Sequence, residues 1–157
     1  MTPVDVLNLA IRPANKMLSL ESPLAEVMLL AIGHQESRFM HRRQVGGPAR
    51  GFWQFEVAGV RGVMAHTATR ARSRLLLRKL GYDREPTNAT IQVSLEHSDV
   101  LAAGFARLLL YTLPQQLPTT PEAGWLQYID AWRPGKPHRR TWARAWQIGV
   151  ETLAVSA

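Results

Sequence analysis

The strongest constraint on the fold is a twelve-residue segment, VLAAGFARLLLY (100–111), that is apolar nearly all round when it is drawn as a helix. Such a helix needs other elements to cover every side of it. No stretch of the chain alternates convincingly like a strand, and apolar residues recur at helical spacing before and after the segment. The sequence therefore predicts an all-α, mainly helical domain around one central helix, with room for a small β-hairpin near 41–52.

Prolines, glycines and capping residues divide the rest of the chain into further helices. Ser22-Pro23 is typical of an N-cap followed by proline at the first helical position, and Gly81 is typical of a helix end. The three prolines of LPQQLPTTP predict a loop over 113–120. The predicted helices cover 4–11 (ending before Pro13), 22–37, 57–80 with a break near 65–69, 87 or 88–112, 121–132 and 140–153.

The length and charge of the chain limit its organisation and its partners. We expect one domain over residues 1–157, because a chain of this length buries a real core. The net charge of +7 favours anionic polymers, namely nucleic acid, an acidic membrane or an acidic cell wall, without choosing among them. The absence of cysteine excludes disulfides and thiolate metal sites. The five histidines show no metal-ligand spacing, so we expect no metal and no cofactor.

The N-terminal segment MTPVDVLNLAIRPANK lacks a basic region before an apolar run, so it does not resemble a signal peptide. The most apolar stretch, VMLLAIG (27–33), is far too short to cross a bilayer. We therefore expect a soluble protein that is made in the cytoplasm, does not insert into a membrane, and needs help for any export.

One carboxylate stands out at the end of the second predicted helix. Counting by four from Leu24 gives Met28, Ile32 and then Glu36, so Glu36 continues the buried stripe at its last turn. Burial and the negative end of the helix dipole both raise the pKa of a carboxyl there, from about 4.3 toward about 6. A carboxyl tuned in this way suits a general acid for glycosidic cleavage. The alternative is a surface glutamate that turns to water or pairs with a nearby arginine.

The segment after Glu36 contains groups that suit a sugar ligand. The loop GGPARG (46–51) allows tight turns, and GFWQFE (51–56) then brings two aromatic rings, an amide and a second carboxylate. Aromatic rings stack on the apolar faces of sugars, and amides hydrogen-bond their polar groups. The alternative for Phe52, Trp53 and Phe55 is packing in the core.

These residues resemble the motifs of the lysozyme-like lytic transglycosylases. That family has a Glu-Ser pair at a helix end and a Gly-Leu-Met-Gln motif about fifteen residues later. Here Glu36-Ser37 is followed by Gly51-Phe52-Trp53-Gln54, with Gly51 fifteen positions after Glu36. The segment AWRPGKP (131–137) resembles the family's Ala-Tyr-Asn-Ala-Gly, with Trp132 in the tyrosine position and Arg133 in the asparagine position. The overlay covers about residues 22–137, and the departures at Phe52-Trp53 and Trp132-Arg133 alter the groove.

The resemblance implies a lysozyme-like fold and cleavage of the bond between N-acetylmuramic acid and N-acetylglucosamine in peptidoglycan. The enzyme would be a lytic transglycosylase, or a muramidase, with Glu36 as its single catalytic carboxylate. The implied substrate-binding residues are Ser37, Gly51, Trp53, Gln54 and Trp132. A hydrolase would need a second carboxylate, for which Glu56 is the first candidate and Asp83 and Asp99 are weaker ones.

Two other functions stay open at this point. The first is a catalytically inactive lysozyme-like protein with a structural role in virion assembly. The second is a nucleic-acid-binding protein that uses the basic, acid-free segment 69–79, although a solvated helix face is the simpler interpretation. The size and the missing signal peptide are similar to those of phage-encoded wall-degrading enzymes. On that analogy the partners are glycan strands and other virion or lysis proteins, and the protein acts on the cell wall after release or as part of a virion.

Overall fold

Helix α7 (Asp99–Tyr111) lies at the centre of the fold, as its all-round apolar sequence predicts. Its residues from Leu101 to Leu108 are all buried, and six other α-helices and a π-helical segment pack against it. The computed structural model describes residues 1–156, and within that part of the chain it contains helices and no strand. The all-α prediction is therefore confirmed. The helices in chain order are α1 (Pro3–Val6), a π-helical segment (Leu7–Ile11), α2 (Arg12–Leu18), α3 (Pro23–Ser37), α4 (Val57–Ala65), α5 (Arg70–Lys79), α6 (Asn88–His97), α7, α8 (Pro121–Trp132) and α9 (Arg139–Val155).

The sequence predicts that the first helix ends before Pro13. In the structure the helix instead continues through Pro13 to Leu18. The backbone N–H of Arg12 donates to the carbonyl of Leu7, five residues back, which is the hydrogen bond of a π-helical turn. This wider turn comes directly before Pro13, where an ordinary α-helical turn would clash with the proline ring. The π-helical segment therefore lets a helix pass through a residue that normally stops one.

Helix α3 begins as predicted and positions the candidate acid at its other end. The side chain of Ser22 accepts a hydrogen bond from the N–H of Ala25, with Pro23 in the first helical position. Along the predicted stripe, Met28 and Ile32 are fully buried, whereas Leu24 is 40% exposed. The stripe is thus buried at the end near Glu36 and partly exposed to solvent at its N-terminal end. Helix α9 packs closely on α3.

The predicted single helix from 87 or 88 to 112 is in fact two helices, because the chain turns sharply at Ser98. That residue has an extended backbone, with φ −135° and ψ 101°. Its side chain accepts a hydrogen bond from the N–H of Leu101, which caps α7. The side chain of Thr87 caps α6 in the same way, so the first of the two predicted starts, 87 or 88, is the one the structure has. A serine with helical residues on both sides was therefore a cap and not a helix interior.

Residues 38–56 connect α3 to α4 and form one wall of the cleft described below. The predicted hairpin is reduced to two isolated bridges, which join Arg43 to Arg50 and Arg50 to Phe55. Helix α6 fixes this segment, because the side-chain amide of Gln92 donates to the carbonyls of Pro48 and Phe55. Hydrogen bonds from α6 therefore hold the segment in place, although it contains no strand.

Candidate active site

The carboxyl of Glu36 lies at the C-terminal end of α3, at the edge of the core. Helix α3 ends at Ser37, and Arg38 follows in the left-handed conformation with φ 52°. In the described residues Glu36 forms no ion pair, and Arg42, one of its expected partners, pairs with Asp99 at 2.8 Å instead. The alternative of an arginine-paired glutamate is therefore not what the structure has, and the Glu36 side chain is half-buried rather than fully exposed.

Tyr128 on α8 is the hydrogen-bonding partner of Glu36. Its hydroxyl donates to Glu36 Oε1 over 2.6 Å. Burial raises the pKa of Glu36 from 4.5 to about 7, and the hydrogen bond from Tyr128 lowers it by a smaller amount. Burial and the nearby Glu36 carboxylate in turn raise the pKa of the Tyr128 hydroxyl, so Tyr128 keeps its proton and acts as a donor. The direction expected from the sequence is present, and the value lies close to neutral pH.

Glu36 faces a cleft of about 1290 Å³. One wall is formed by the segment after α3, and the other by the end of α8 and the linker from α8 to α9. Ligand sites for small molecules typically have volumes of roughly 300–1,000 Å³, so this cleft has the size of a site for a longer ligand. Its lining includes four of the predicted substrate-binding and acidic residues besides Glu36 itself: Ser37, Gln54, Glu56 and Trp132.

Ser37 lines the cleft, but its hydroxyl is hydrogen-bonded to the backbone on both sides of it. It donates to the carbonyl of Gly33 over 3.1 Å and accepts from the N–H of Phe39 over 3.1 Å. No hydrogen bond joins it to Glu36 in the described structure. Ser37 therefore stabilises the end of α3, which is the alternative role of a helix-end hydroxyl.

Gly51 and Trp53 do not line the cleft, contrary to their expected role as substrate-binding residues. Trp53 is 0% exposed, and its Nε1–H donates to the carbonyl of Leu29 over 2.9 Å. Gly51 has φ +72°, and a Cβ there would lie 2.9 Å from the carbonyl oxygen of Leu95. Through these contacts both residues pack the segment 38–56 against the core.

Gln54 and Trp132 meet the expectation that they lie in the cleft, and each is held by one hydrogen bond. The amide of Gln54, which has φ 50°, donates to the carbonyl of Gly51 over 2.8 Å. The Nε1–H of Trp132 donates to the carbonyl of Trp53 over 2.9 Å and so ties α8 to the opposite wall. The two walls of the cleft are therefore linked directly by this hydrogen bond.

The candidates for a second carboxylate separate clearly in the structure. Glu56 is exposed in the cleft, immediately before α4. Asp99 is bound to Arg42, and Asp83 is not part of the cleft lining. Asp130 on α8 also lines the cleft, although the sequence analysis did not single it out.

The sequence analysis also missed Tyr128, because it is separated from Glu36 by 92 positions. A signal was present, since Tyr128 lies four residues before Trp132 and thus on the same face of α8. A second long-range contact holds the same region. The side chain of Gln35 donates to the carbonyl of His138 and accepts from the hydroxyl of Thr141, each over 2.9 Å. Helix α9 is thereby joined to α3 next to Glu36.

The basic segment 69–79 corresponds to α5 and is partly used within the fold. Arg74 pairs with Glu85 at 2.7 Å, and the guanidinium of Arg72 lies 5.2 Å from the ring centre of Tyr111. The ammonium of Lys79 donates to the carbonyl of Met17. Arg70 and Arg78 remain as exposed cations, which is a small surface for a phosphate backbone.

Between residues 1 and 156 no three His, Asp or Glu side chains are grouped so that they could hold a metal ion. No helix in that range is long and apolar enough to cross a membrane. Comparison of the chain with protein-family models, curated proteins and solved structures finds no match. The functional assignment therefore depends on the geometry around Glu36 and on the motif spacing.

Proposed function

We propose that this protein is a peptidoglycan-cleaving glycosidase with a lysozyme-like fold, and that it acts as a lytic transglycosylase with Glu36 as its single acid and base. The observation that carries the proposal is a half-buried carboxyl in a large cleft, with a pKa of about 7 and one oxygen held by Tyr128. The spacing of Glu36-Ser37 and Gly51–Gln54 adds support from the sequence.

The first step is donation of a proton by Glu36. With a pKa of about 7, about half of the Glu36 side chains carry a proton at neutral pH. Because Oε1 accepts from Tyr128, the proton belongs on Oε2. Glu36 gives this proton to the glycosidic oxygen, the bond from that oxygen to C1 of N-acetylmuramic acid breaks, and N-acetylglucosamine leaves as an alcohol.

In the second step the Glu36 carboxylate acts as the base. It removes the proton of the C6 hydroxyl of the same N-acetylmuramic acid, and that oxygen bonds to C1 to give the 1,6-anhydro sugar. The proton returns to Glu36, so the cycle needs neither water nor a second carboxylate. The Tyr128 hydroxyl stabilises the carboxylate between the two steps, because a hydrogen bond to a charged acceptor is stronger than one to a neutral acceptor.

The rest of the cleft fits a chain of acetylated sugars. The exposed parts of Trp132 and the amide of Gln54 provide one apolar face and one polar contact beside Glu36. The hydrogen bond from Trp132 to the carbonyl of Trp53 links the two walls and holds these groups in fixed positions. Much of the rate advantage of a catalytic acid comes from such fixed orientation.

Glu56 and Asp130 support hydrolysis as the second candidate reaction. Both are exposed carboxylates in the same cleft as Glu36. An inverting hydrolase needs a second carboxylate roughly 6.5–9.5 Å from the acid to activate water. If this protein is a muramidase, one of these two side chains performs that task.

The test is release of fragments from purified, dye-labelled sacculi by four proteins: the wild type, Glu36→Gln, Glu56→Gln and Asp130→Asn. We expect activity from the wild type and a loss on the order of 10²–10⁴ in Glu36→Gln. The Glu56 and Asp130 variants are the matched controls, because each also removes one carboxylate from the cleft. A comparable loss in either control would favour the hydrolase. No release by folded wild type from sacculi of several wall types would favour a structural protein.

A further inference from the structure

Arg107 on α7 is a buried cation that has no acidic partner. The residue is 5% exposed, and among residues 1–156 every ion pair involves a different arginine. Its Nε–H donates to the carbonyl of Leu20 over 3.3 Å, whereas its terminal nitrogens have no hydrogen-bond partner in that range. Arginine is almost never buried without an anion beside it, because an uncompensated buried charge costs free energy. Arg107 therefore marks a place that an anion from outside the chain would stabilise.

The terminal nitrogens of Arg107 can still be reached from solvent. Among the described residues, the side-chain atoms that are both sealed from solvent and without a hydrogen-bond partner belong to Asn15 and Ser156. The unpartnered nitrogens of Arg107 are not among them, so they keep contact with the surface. The side chain thus has a covered stem and an open, unused end, to which a ligand can bind.

A second arginine reaches the same place from α5, which packs against α7. The guanidinium carbons of Arg72 and Arg107 lie 5.2 and 5.7 Å from the ring centre of Tyr111. Such a cation–π contact holds a guanidinium in place but does not neutralise its charge. Arg72 is half-buried, and within residues 1–156 it forms neither an ion pair nor a hydrogen bond. Tyr111 is 37% exposed, so the two cations meet at a ring that opens to the surface.

The protein does not compensate the charge of these two cations. Burial lowers the pKa of Arg107 most, and of its neighbours Tyr111 raises that pKa while the positive charge of Arg72 lowers it. The last turn of α7 supplies the negative end of a helix dipole, which is equivalent to about half an elementary charge. That partial charge is smaller than two full positive charges. A ligand that neutralises the pair must therefore bring more than one negative charge.

A phosphate group fits this pair of arginines by charge and by shape. Near neutral pH a phosphate with a single ester bond carries a charge of about −1.5 to −2. The planar fork of a guanidinium matches two phosphate oxygens, which is why arginine is common in phosphate sites. A single carboxylate brings one charge and two oxygens, so it would satisfy only one of the two arginines.

We propose that Arg72, Arg107 and Tyr111 form a binding site for one phosphate group, free or joined by a single ester bond, beside the last turn of α7. The two guanidinium groups bind the phosphate oxygens, and the ring of Tyr111 holds both guanidinium groups in position. None of the three residues lines the cleft of Glu36. The site is therefore separate from the proposed catalytic centre, and the inference does not depend on the proposed function.

The test is calorimetric titration of the folded wild type with sodium phosphate in a phosphate-free buffer, with sodium chloride of equal ionic strength as the blank. We expect one site with a Kd of about 1 mM or tighter, which two hydrogen-bonded charge contacts can supply. Phosphate should also raise the melting temperature, because it binds the folded state. Arg107→Gln and Arg72→Gln should each weaken the binding about tenfold or more.

Arg78→Gln is the matched control, because it removes the same charge from α5 at an exposed position and should keep the wild-type Kd. Without phosphate, Arg107→Gln should melt at or above the wild-type temperature, since it removes a buried charge that has no partner. Arg72→Gln changes a half-buried residue and so provides a second variant that does not alter the core. Circular dichroism confirms that each variant is folded.

A second arm distinguishes free phosphate from a phosphate on a lipid head group. The protein is sedimented with vesicles of phosphatidylcholine alone and with vesicles that also contain phosphatidic acid, whose phosphate has a single ester bond. Retention on the second vesicles that both Arg72→Gln and Arg107→Gln reduce would assign the site to a head-group phosphate. Binding of inorganic phosphate without such retention would assign the site to the free ion.

Absence of saturable phosphate binding by the folded wild type would overturn this inference. Equal Kd values for the wild type, Arg72→Gln and Arg107→Gln would overturn it as well, and so would an equal weakening in Arg78→Gln, which would mean that net charge alone attracts the anion. None of these measurements uses sacculi, so failure of this inference and failure of the proposed function are separate results.

Discussion

The half-buried, partly desolvated carboxyl of Glu36 should destabilise the folded protein at neutral and alkaline pH. Its pKa is raised from 4.5 to about 7, so between these values the folded state holds a proton that the unfolded state has released. Stability therefore falls as pH rises through this window, and the full penalty is present above pH 7. With 1.36 kcal/mol for each pKa unit, the penalty is on the order of 3 kcal/mol.

Glu36→Gln removes this penalty and keeps an oxygen that can accept from Tyr128. We expect the variant to be more stable than the wild type by up to about 3 kcal/mol at pH 8.5, which is roughly 6–12 °C in Tm for a chain of this size. At pH 4 the two proteins should have nearly equal stability, because Glu36 is mostly protonated in both the folded and the unfolded state. The assay is urea unfolding of both proteins at the two pH values, with circular dichroism as the signal that reports unfolding.

Glu56→Gln is the control, because Glu56 is an exposed carboxylate in the same cleft, and its effect should stay within about 0.5 kcal/mol at both pH values. A stability difference for Glu36→Gln that is the same at pH 4 and pH 8.5 would refute the reasoning. It would mean that the carboxyl is solvated and not held in a desolvated site.

Three further substitutions test the roles of neighbouring residues. Tyr128→Phe removes the hydrogen bond to Glu36 Oε1, so the alkaline limb of the pH–rate profile should move up by about one to two units; an unmoved limb would mean that the bond does not stabilise the carboxylate. Trp53→Ala empties a fully buried site and should lower the free energy of unfolding by about 3–5 kcal/mol in urea, and a small loss would contradict its place in the core. Gly51→Ala places a Cβ 2.9 Å from a backbone oxygen at φ +72° and should cost about 1–3 kcal/mol, whereas Gly135→Ala, with open space around it, is the control.

The sequence was most informative where local chemistry decides the structure. The helix starts predicted at Ser22-Pro23, at 87 or 88 and at 121 agree with the structure, where Ser22, Thr87 and Thr120 are the caps. A capping side chain satisfies the first free N–H groups of a helix wherever it occurs. The central position of α7 follows from its lack of a polar face. The position of Glu36 was also predictable, because helical spacing alone places it at the end of a buried stripe.

Other features depended on contacts that are distant in sequence. The residues next to Trp53 in the sequence suggest an exposed sugar-binding ring. In the structure the ring is buried in the core, where it donates to the carbonyl of Leu29 and packs against the ring of Phe39. Tyr128 reaches Glu36 only because α9 packs against both α3 and α8 and brings the two helices together. Pro13 should stop a helix, and only a π-helical turn, which no local signal announced, lets the helix continue. These outcomes are set by tertiary packing, so helical spacing could not supply them.

The most direct test of the central claim is to digest purified sacculi in water enriched in oxygen-18 and to analyse the released fragments by mass spectrometry. If Glu36 alone carries out both proton transfers, the fragments are 1,6-anhydro sugars that contain no label, and Glu36→Gln releases none. Labelled reducing ends would contradict the transglycosylase account, because they require attack at C1 by water and not by the C6 hydroxyl of the same sugar.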